Sequence, residues 1–168
     1  MATNPLVILG SARKDSDTRK LVDRLFKDKI FILADLLDYE INNYSYTHDY
    51  PGSDDFLKVV EQMIQHEQIV FATPVYWYAM SGIMKTFFDR LTDIITIHKN
   101  LGKQLAGKET FLLAVGSDDT LPVGFSEPFE LTSAYFDMQF RATYYASTNA
   151  VKGKLPDIDT YLRLLHFD

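Results

Sequence analysis

Residues whose chemistry could act together fall in three short stretches. The first, "GSARKDSDT" (10–18), follows the apolar run "PLVILG" and precedes a helical pattern. It supplies hydroxyls at Ser11, Ser16 and Thr18, a guanidinium at Arg13 and the free N–H groups of a helix start. A helix start draws anions through those N–H groups and the macrodipole. The stretch lacks the GxGxxG of a dinucleotide site and the GK[ST] of a P-loop, so it suits one small terminal phosphate rather than a pyrophosphate. The plain alternative is a capped helix start with polar decoration. Asp15 and Asp17 add negative charge where an anion would sit. Two unit charges about 4 Å apart repel by about 1 kcal/mol in water and about 4 kcal/mol at an effective dielectric of about 20. Asp17 either faces the anion, which predicts weak and exchangeable binding, or turns away and caps the helix.

The second stretch, "TPVYWYAMSG" (73–82), ends an apolar strand at Pro74 and then places Tyr76, Trp77 and Tyr78 consecutively. Three adjacent aromatics cannot all enter one core, so at least one flanks a planar ligand or a partner chain. The third, "GSDDTLPVGFS" (116–126), adds two acids near the same place. No nucleophile–base–acid set is visible. Ser81 before Gly82 reads as an ordinary helix cap, and His48, His66, His98 and His166 are scattered without metal-ligand spacing. Cysteine is absent, which removes thiol catalysis, disulfides and thiolate metal sites together. No metal is expected.

The elements that must position these stretches alternate along the chain. Strand patterns at 5–10, 29–37, 68–75, 109–117 and 139–148 are separated by helical patterns at 18–28, 54–66, 81–99 and 126–138, and a last helix is predicted at 157–167. Helix 18–28 places Leu21, Val22, Leu25 and Phe26 on one face, and helix 54–66 does the same with Leu57, Val60, Met63 and Ile64. In the predicted helix 81–99 the apolar residues 83, 84, 87, 88, 91, 94 and 95 sweep about 180° of the wheel, more than one core-facing stripe, which predicts contact with a second subunit. Residues 38–53 carry no period and read as a long tyrosine-rich surface loop, either covering the site or joining an interface. Five strands each followed by a helix imply a parallel sheet covered on both faces, an α/β three-layer sandwich with the flavodoxin-like order 2-1-3-4-5. In such a sheet ligands bind beyond the carboxyl ends of the strands, where the three stretches meet.

The 168 residues fit one domain, 1–168. A net charge of −6 argues against nucleic acid and against an anionic membrane surface as partners. No apolar run approaches the roughly 18 residues of a membrane span. The start "MATNPLVILG" lacks the basic lead of a signal peptide, so a cytoplasmic setting is expected.

Two motifs carry a family resemblance. "GSARKDSDTRKL" resembles the GS-x-R-x-x-S/G-N-T phosphate loop of the NAD(P)H-dependent FMN reductases and related flavodoxin-like quinone reductases. "FATPVYWYAMSGIMKTFFDRLTD" is similar to that family's flavin-ring loop and following helix, TPVYW-x-x-x-SG-x-MK-x-F-x-DR. The resemblance covers roughly residues 5–120. It implies an FMN-dependent oxidoreductase passing a hydride from NAD(P)H to a small acceptor such as a quinone, an azo or nitro compound or free flavin. It further implies that Ser11, Arg13, Ser16 and Thr18 hold the FMN phosphate, with Asp17 among them where the family often has asparagine. Pro74, Val75, Tyr76, Trp77 and Tyr78 would border the isoalloxazine ring, and Gly116, Ser117 and Asp118 would close its other side. A homodimer or homotetramer with flavin near the interface is implied as well. The acids of 116–126 speak against NADPH and anionic quinones. Two rival readings remain: a flavodoxin-type electron carrier, whose T/S-x-T-G-x-T loop is absent, and a non-catalytic interaction module, kept open by Asp15, Asp17 and the acidic third stretch.

Overall fold

Alternation of side chains along β1 (Leu6–Leu9) explains the layering. Leu6 and Ile8 enter one hydrophobic core and Val7 and Leu9 the other, so the strand is buried on both faces. The computed structural model describes residues 4–167, so the first three positions of the predicted leaderless start lie outside the described residues. After β1 come α1 (Asp17–Leu25), β2 (Ile32–Asp35), α2 (Phe56–Gln65), β3 (Gln68–Pro74), α3 (Gly82–Arg90), α4 (Asp93–Thr96) and α5 (Lys99–Lys103). The chain continues through β4 (Glu109–Gly116), α6 (Glu127–Tyr135), β5 (Gln139–Ser147), α7 (Thr148–Lys152) and α8 (Asp159–Leu162). The strands form one sheet in the order β2-β1-β3-β4-β5, every neighbouring pair parallel, as the alternating pattern predicts. One core packs the α2, α3 and α6 side of the sheet, with Phe56, Val60, Met63, Phe87 and Phe129 wholly buried. The other packs the α1 and α8 side, where Leu21, Val22 and Tyr161 meet Val70 and Phe111.

Three predicted elements are shorter than expected. The strand predicted over 29–37 is confined to Ile32–Asp35. Before it the chain turns, with Asp28 at φ 62° and the Lys29 N–H donating to Phe26 O; after it the Asp35 carboxylate caps a 3-10 turn over Leu36–Asp38. The single helix predicted over 81–99 breaks after Arg90. There the N–H groups of Leu91 and Thr92 donate to Phe88 O and Asp89 O, three residues back rather than four, and Asp93 opens a separate short helix. Its apolar arc is covered by the chain itself: Met84, Phe87, Leu91 and Ile94 are buried and Ile83, Phe88 and Ile95 pack against them. The width of that arc therefore gives no ground for a second subunit. The closing helix spans only Asp159–Leu162.

Residues 38–53 have little regular structure yet are firmly tied down. Arg90, buried at the end of α3, forms a two-bond ion pair with Asp54 at 2.7 and 3.1 Å and reaches Asp93 at 2.8 Å and Asn42 O at 3.0 Å. Its guanidinium stacks 3.5 Å from the centre of the Tyr50 ring. His48 Nδ1 and the Tyr50 hydroxyl lie 2.8 and 3.2 Å from Asp93 Oδ1.

Candidate functional site

The three predicted stretches meet at the carboxyl edge of β1, β3 and β4, around a cleft of about 260 Å³. Ser11, Arg13, Ser16, Asp17 and Thr18 line it from the first loop, Pro74, Val75 and Tyr76 from the second, and Gly116 and Ser117 from the third. The remaining predicted residues stand outside this lining. Trp77 and Tyr78 form the tip of the second loop, and Asp118 follows Ser117 on the exposed third loop.

The first loop closes into α1 through Ser16, whose Oγ accepts from the Arg19 N–H at 3.1 Å. Ser16 is thus the cap, and Asp17 is the first helical residue rather than the cap considered above. Asp17 keeps one wall of the cleft and pairs with Lys20 at 3.2 Å. Ser11 and Thr18 are each 1% exposed, and Ser11 Oγ and Thr18 Oγ1 have no hydrogen-bond partner. A buried hydroxyl left unpaired costs about 1–3 kcal/mol, so two lining one cleft point to a missing acceptor. The Ser16 hydroxyl, which accepts from Arg19 N–H, also keeps its own proton to donate. Lys14 turns away from the cleft to Asp35 and Asp38, at 2.9 and 2.6 Å, and so anchors the loop to the end of β2.

The second loop is a two-residue hairpin. Tyr76 N–H donates to Ala79 O at 2.9 Å, Ala79 N–H donates back to Tyr76 O at 3.1 Å, and Trp77 and Tyr78 between them have φ of 48° and 64°. Both central residues are left-handed, as a type I′ turn requires, yet neither is the glycine or asparagine that adopts this cheaply. The left-handed backbone costs roughly 1–2 kcal/mol per residue. Strain of this kind concentrates at binding sites, and it presents Trp77, 93% exposed, to solvent beside the cleft. Ser81 ties the hairpin down: its N–H donates to Thr73 Oγ1 at 3.1 Å, and its hydroxyl donates to Gly10 O at 2.6 Å.

Two residues that sequence reasoning missed hold the third loop. The Thr148 hydroxyl donates to Gly116 O at 3.2 Å and itself lines the cleft, and the Tyr145 hydroxyl donates to Asp118 O at 2.6 Å. Burial, with the carboxylates of Asp118 and Asp119 nearby, pushes the Tyr145 phenol up, so it stays a donor near neutral pH. Only their place at the end of a strand reaching the same sheet edge pointed to them. A larger cavity, about 450 Å³, opens at the opposite edge near Lys108 and His166. The Lys108 ammonium there is already spent on Ile64 O and His66 O, both at 2.8 Å, and none of the predicted residues is near.

The chain is similar to known proteins in sequence and in fold. A relative, the putative NAD(P)H-dependent FMN-containing oxidoreductase YwqN of Bacillus subtilis (strain 168), is 30% identical over 95 residues, covering 54% of this chain and 52% of the relative. The match thus spans about half of that protein's length. The uncharacterized NAD(P)H oxidoreductase YrkL of the same organism is 28% identical over 132 residues, covering 67% of this chain and 74% of the relative. Among solved structures, general stress protein 14 of Treponema denticola in complex with FMN superposes with a TM-score of 0.69 at 20% identity, covering 98% of this chain and 100% of that one. The Trp repressor binding protein of Bacillus subtilis gives 0.69 at 22% identity, covering 95% and 89%. At such identities these structures speak for the flavodoxin-like fold alone. The description "NADPH-dependent FMN reductase" matches residues 3–149, most of the chain, and by that match the chain belongs to the NADPH-dependent FMN reductase family.

Proposed function

We propose that the chain works as one domain, an FMN-dependent NAD(P)H oxidoreductase whose site is the cleft at the carboxyl edge of the sheet. The observation that carries this reading is the pair of buried, unpartnered hydroxyls of Ser11, just after β1, and Thr18, in the first turn of α1, both lining the cleft. They are donors without an acceptor, placed where the N–H groups of a helix start also point at an anion. Ser11, Ser16 and Thr18 would hold the FMN phosphate, with Arg13 at the rim. Pro74, Val75 and Tyr76 would border the ring on one side and Gly116 and Ser117 on the other, with Trp77, Tyr78 and Asp118 at the mouth. Bound there, FMN would supply the redox chemistry, accepting a hydride from reduced nicotinamide and passing it to a quinone, an azo or nitro compound or a second flavin. The protein's part is to position and to exclude water, and no side chain lining the cleft is assigned a proton transfer. Exposed Tyr76, Trp77 and Tyr78 support assembly as a homodimer or homotetramer in which a second copy covers the ring. Among the described residues no helix is long and apolar enough to cross a membrane.

The test is a flavin fluorescence titration of the wild type beside Thr18→Val. The variant should keep its stability, since the lost hydroxyl has no partner in the protein. It should bind FMN about tenfold or more weakly, as expected for loss of a hydrogen bond to a charged group of about 1.5–3 kcal/mol. Riboflavin, which lacks the phosphate, should bind both proteins alike. Equal FMN affinity in the two proteins would remove Thr18 from the phosphate site.

A further inference from the structure

The charge around the cradle is unusual for a phosphate site. Among the residues lining the cleft, the ionisable ones are Arg13 of the first loop, Asp17 of α1 and Tyr76 of the second loop. The third loop and the start of α7 contribute only Ser117 and Thr148. Arg13 leans outward, its side chain 64% exposed and 3.8 Å from Asp15. Lys14 is held by Asp35 and Asp38, and Lys20 by Asp17 itself. An anion there would be met by hydroxyls and N–H groups, with Asp17, its side chain 17% exposed and paired with Lys20, lining the same cleft as the orphaned Thr18 hydroxyl. A helix start favours negative charge with the equivalent of about half a positive charge, and Asp17 already draws on it.

Resting on the flavin reading above, we propose that the cradle selects the singly charged form of the FMN phosphate, the proton that the phosphate retains being donated to the Asp17 carboxylate. One shared proton turns a like-charge contact into a hydrogen bond, and the hydroxyls of Ser11 and Thr18 then serve the remaining phosphate oxygens. The second ionisation of a phosphate monoester lies near pH 6. Above it the singly charged form falls about tenfold per pH unit, and FMN affinity falls with it. Flavin thus becomes an exchangeable ligand at neutral and alkaline pH and a retained one in mild acid.

The experiment is a fluorescence titration with FMN and with riboflavin at several pH values from about 6 to 8.5, spanning that ionisation, on the wild type, Asp17→Asn and Asp15→Asn. The wild-type Kd for FMN should rise about tenfold per pH unit at the alkaline end, while that for riboflavin stays flat. Asp17→Asn should flatten the FMN curve and bind FMN about tenfold or more tightly at the alkaline end. Asp15→Asn, which alters a carboxylate outside the cleft lining, should keep the wild-type slope. A flat FMN curve in the wild type, an unchanged slope in Asp17→Asn, or a slope lost only in Asp15→Asn overturns this proposal and leaves the flavin reading standing. Failure of both flavins to bind at every pH overturns the two together.

Discussion

Replacing Arg90 with methionine tests how the chain secures the loop beside its site. Among the described residues the guanidinium is the one cation bonded to two carboxylates this little exposed, those of Asp54 and Asp93 at 8% and 1% of their side chains. Methionine keeps an apolar stem between the Tyr50 and Phe56 rings, on which the guanidinium now stacks at 3.5 and 4.7 Å, and removes the charge. Burial pushes the Asp54 carboxyl up, but donors from Arg90, from the main chain and side chain of Asn42 and from the Phe56 N–H outweigh it and bring it from 3.8 to about 2. At about 1.4 kcal/mol per pH unit this is worth about 2 kcal/mol from one carboxylate alone. Because the folded-state value is depressed, that stability is present in full above pH 3.8 and is lost as pH falls toward about 2. In Arg90→Met the sign reverses. Two carboxylates remain buried without their cation, burial dominates, and the penalty is present at neutral pH and relieved by acid. The expected loss at pH 7 is about 3–5 kcal/mol, a large part of the roughly 5–15 kcal/mol that holds a domain together. Urea unfolding followed by far-ultraviolet circular dichroism measures it. Tryptophan fluorescence is a poor probe because the single tryptophan, Trp77, is almost fully exposed already. Adding Asp54→Asn and Asp93→Asn to Arg90→Met should recover much of the loss, since the cost lies in unpaired charge. A loss below about 1 kcal/mol at pH 7, or the same acid slope in wild type and variant, would refute the argument.

Three further outcomes follow from single contacts. Converting the hairpin tip to Asn-Gly, Trp77→Asn with Tyr78→Gly, should raise thermal stability by about 1–2 kcal/mol because those residues adopt the left-handed backbone of a type I′ turn readily; an unchanged melting temperature would mean the strain is absorbed elsewhere. Gly10→Ala places a Cβ 2.8 Å from Met84 Cβ and 3.2 Å from its Cα, atoms fixed to α3. It should cost about 1–3 kcal/mol by overpacking and weaken FMN in a titration, whereas unaltered stability would show that the first loop can shift freely. Tyr161→Phe removes a hydroxyl that is buried without a partner and whose ionisation burial pushes far up. Chemical denaturation should show a gain of about 1 kcal/mol, and a loss instead would reveal an acceptor for that hydroxyl.

How much of this was legible in the sequence follows from which forces are local. Strand order and the meeting of the loops at 10–18, 73–82 and 116–126 followed from apolar runs punctuated by glycine, proline and hydroxyls, because burial on both sheet faces writes itself as continuous hydrophobicity. The faces of the first two predicted helices were legible for the same reason, Leu21, Val22, Leu25, Phe26, Val60 and Met63 all being buried. The break after Arg90 was not. An arginine in "FFDRLTD" reads by default as solvent-facing, and nothing in the sequence pairs it with Asp54, 36 positions earlier. The third-loop clamps were hidden likewise, since Tyr145 meets Asp118 and Thr148 meets Gly116 only once β5 lies beside β4. The cap was ambiguous because serine and aspartate both cap helices well, and only the Ser16 bond to Arg19 N–H decides between neighbours.

The cleft is held open by the hydroxyls that the protein does satisfy and charged for binding by those that it does not. Ser81 joins the second loop to the first through Gly10 O, the Val75 N–H joins it to the third through Val115 O at 2.7 Å, and Thr148 and Tyr145 fix the third from β5 and the start of α7. Each bond ties a loop to another loop or to a neighbouring strand or helix, so the three do not move independently, and part of the ordering cost that a flexible site would meet on binding is already met in folding. Against that frame the unpaired hydroxyls of Ser11 and Thr18 stand out, because of the three buried side-chain groups without a partner among the described residues, these two line the cleft and the third, Tyr161, does not. The same frame explains why Asp17 matters. Under the proposal above, a cradle held in this way would favour the phosphate form that carries a proton toward Asp17.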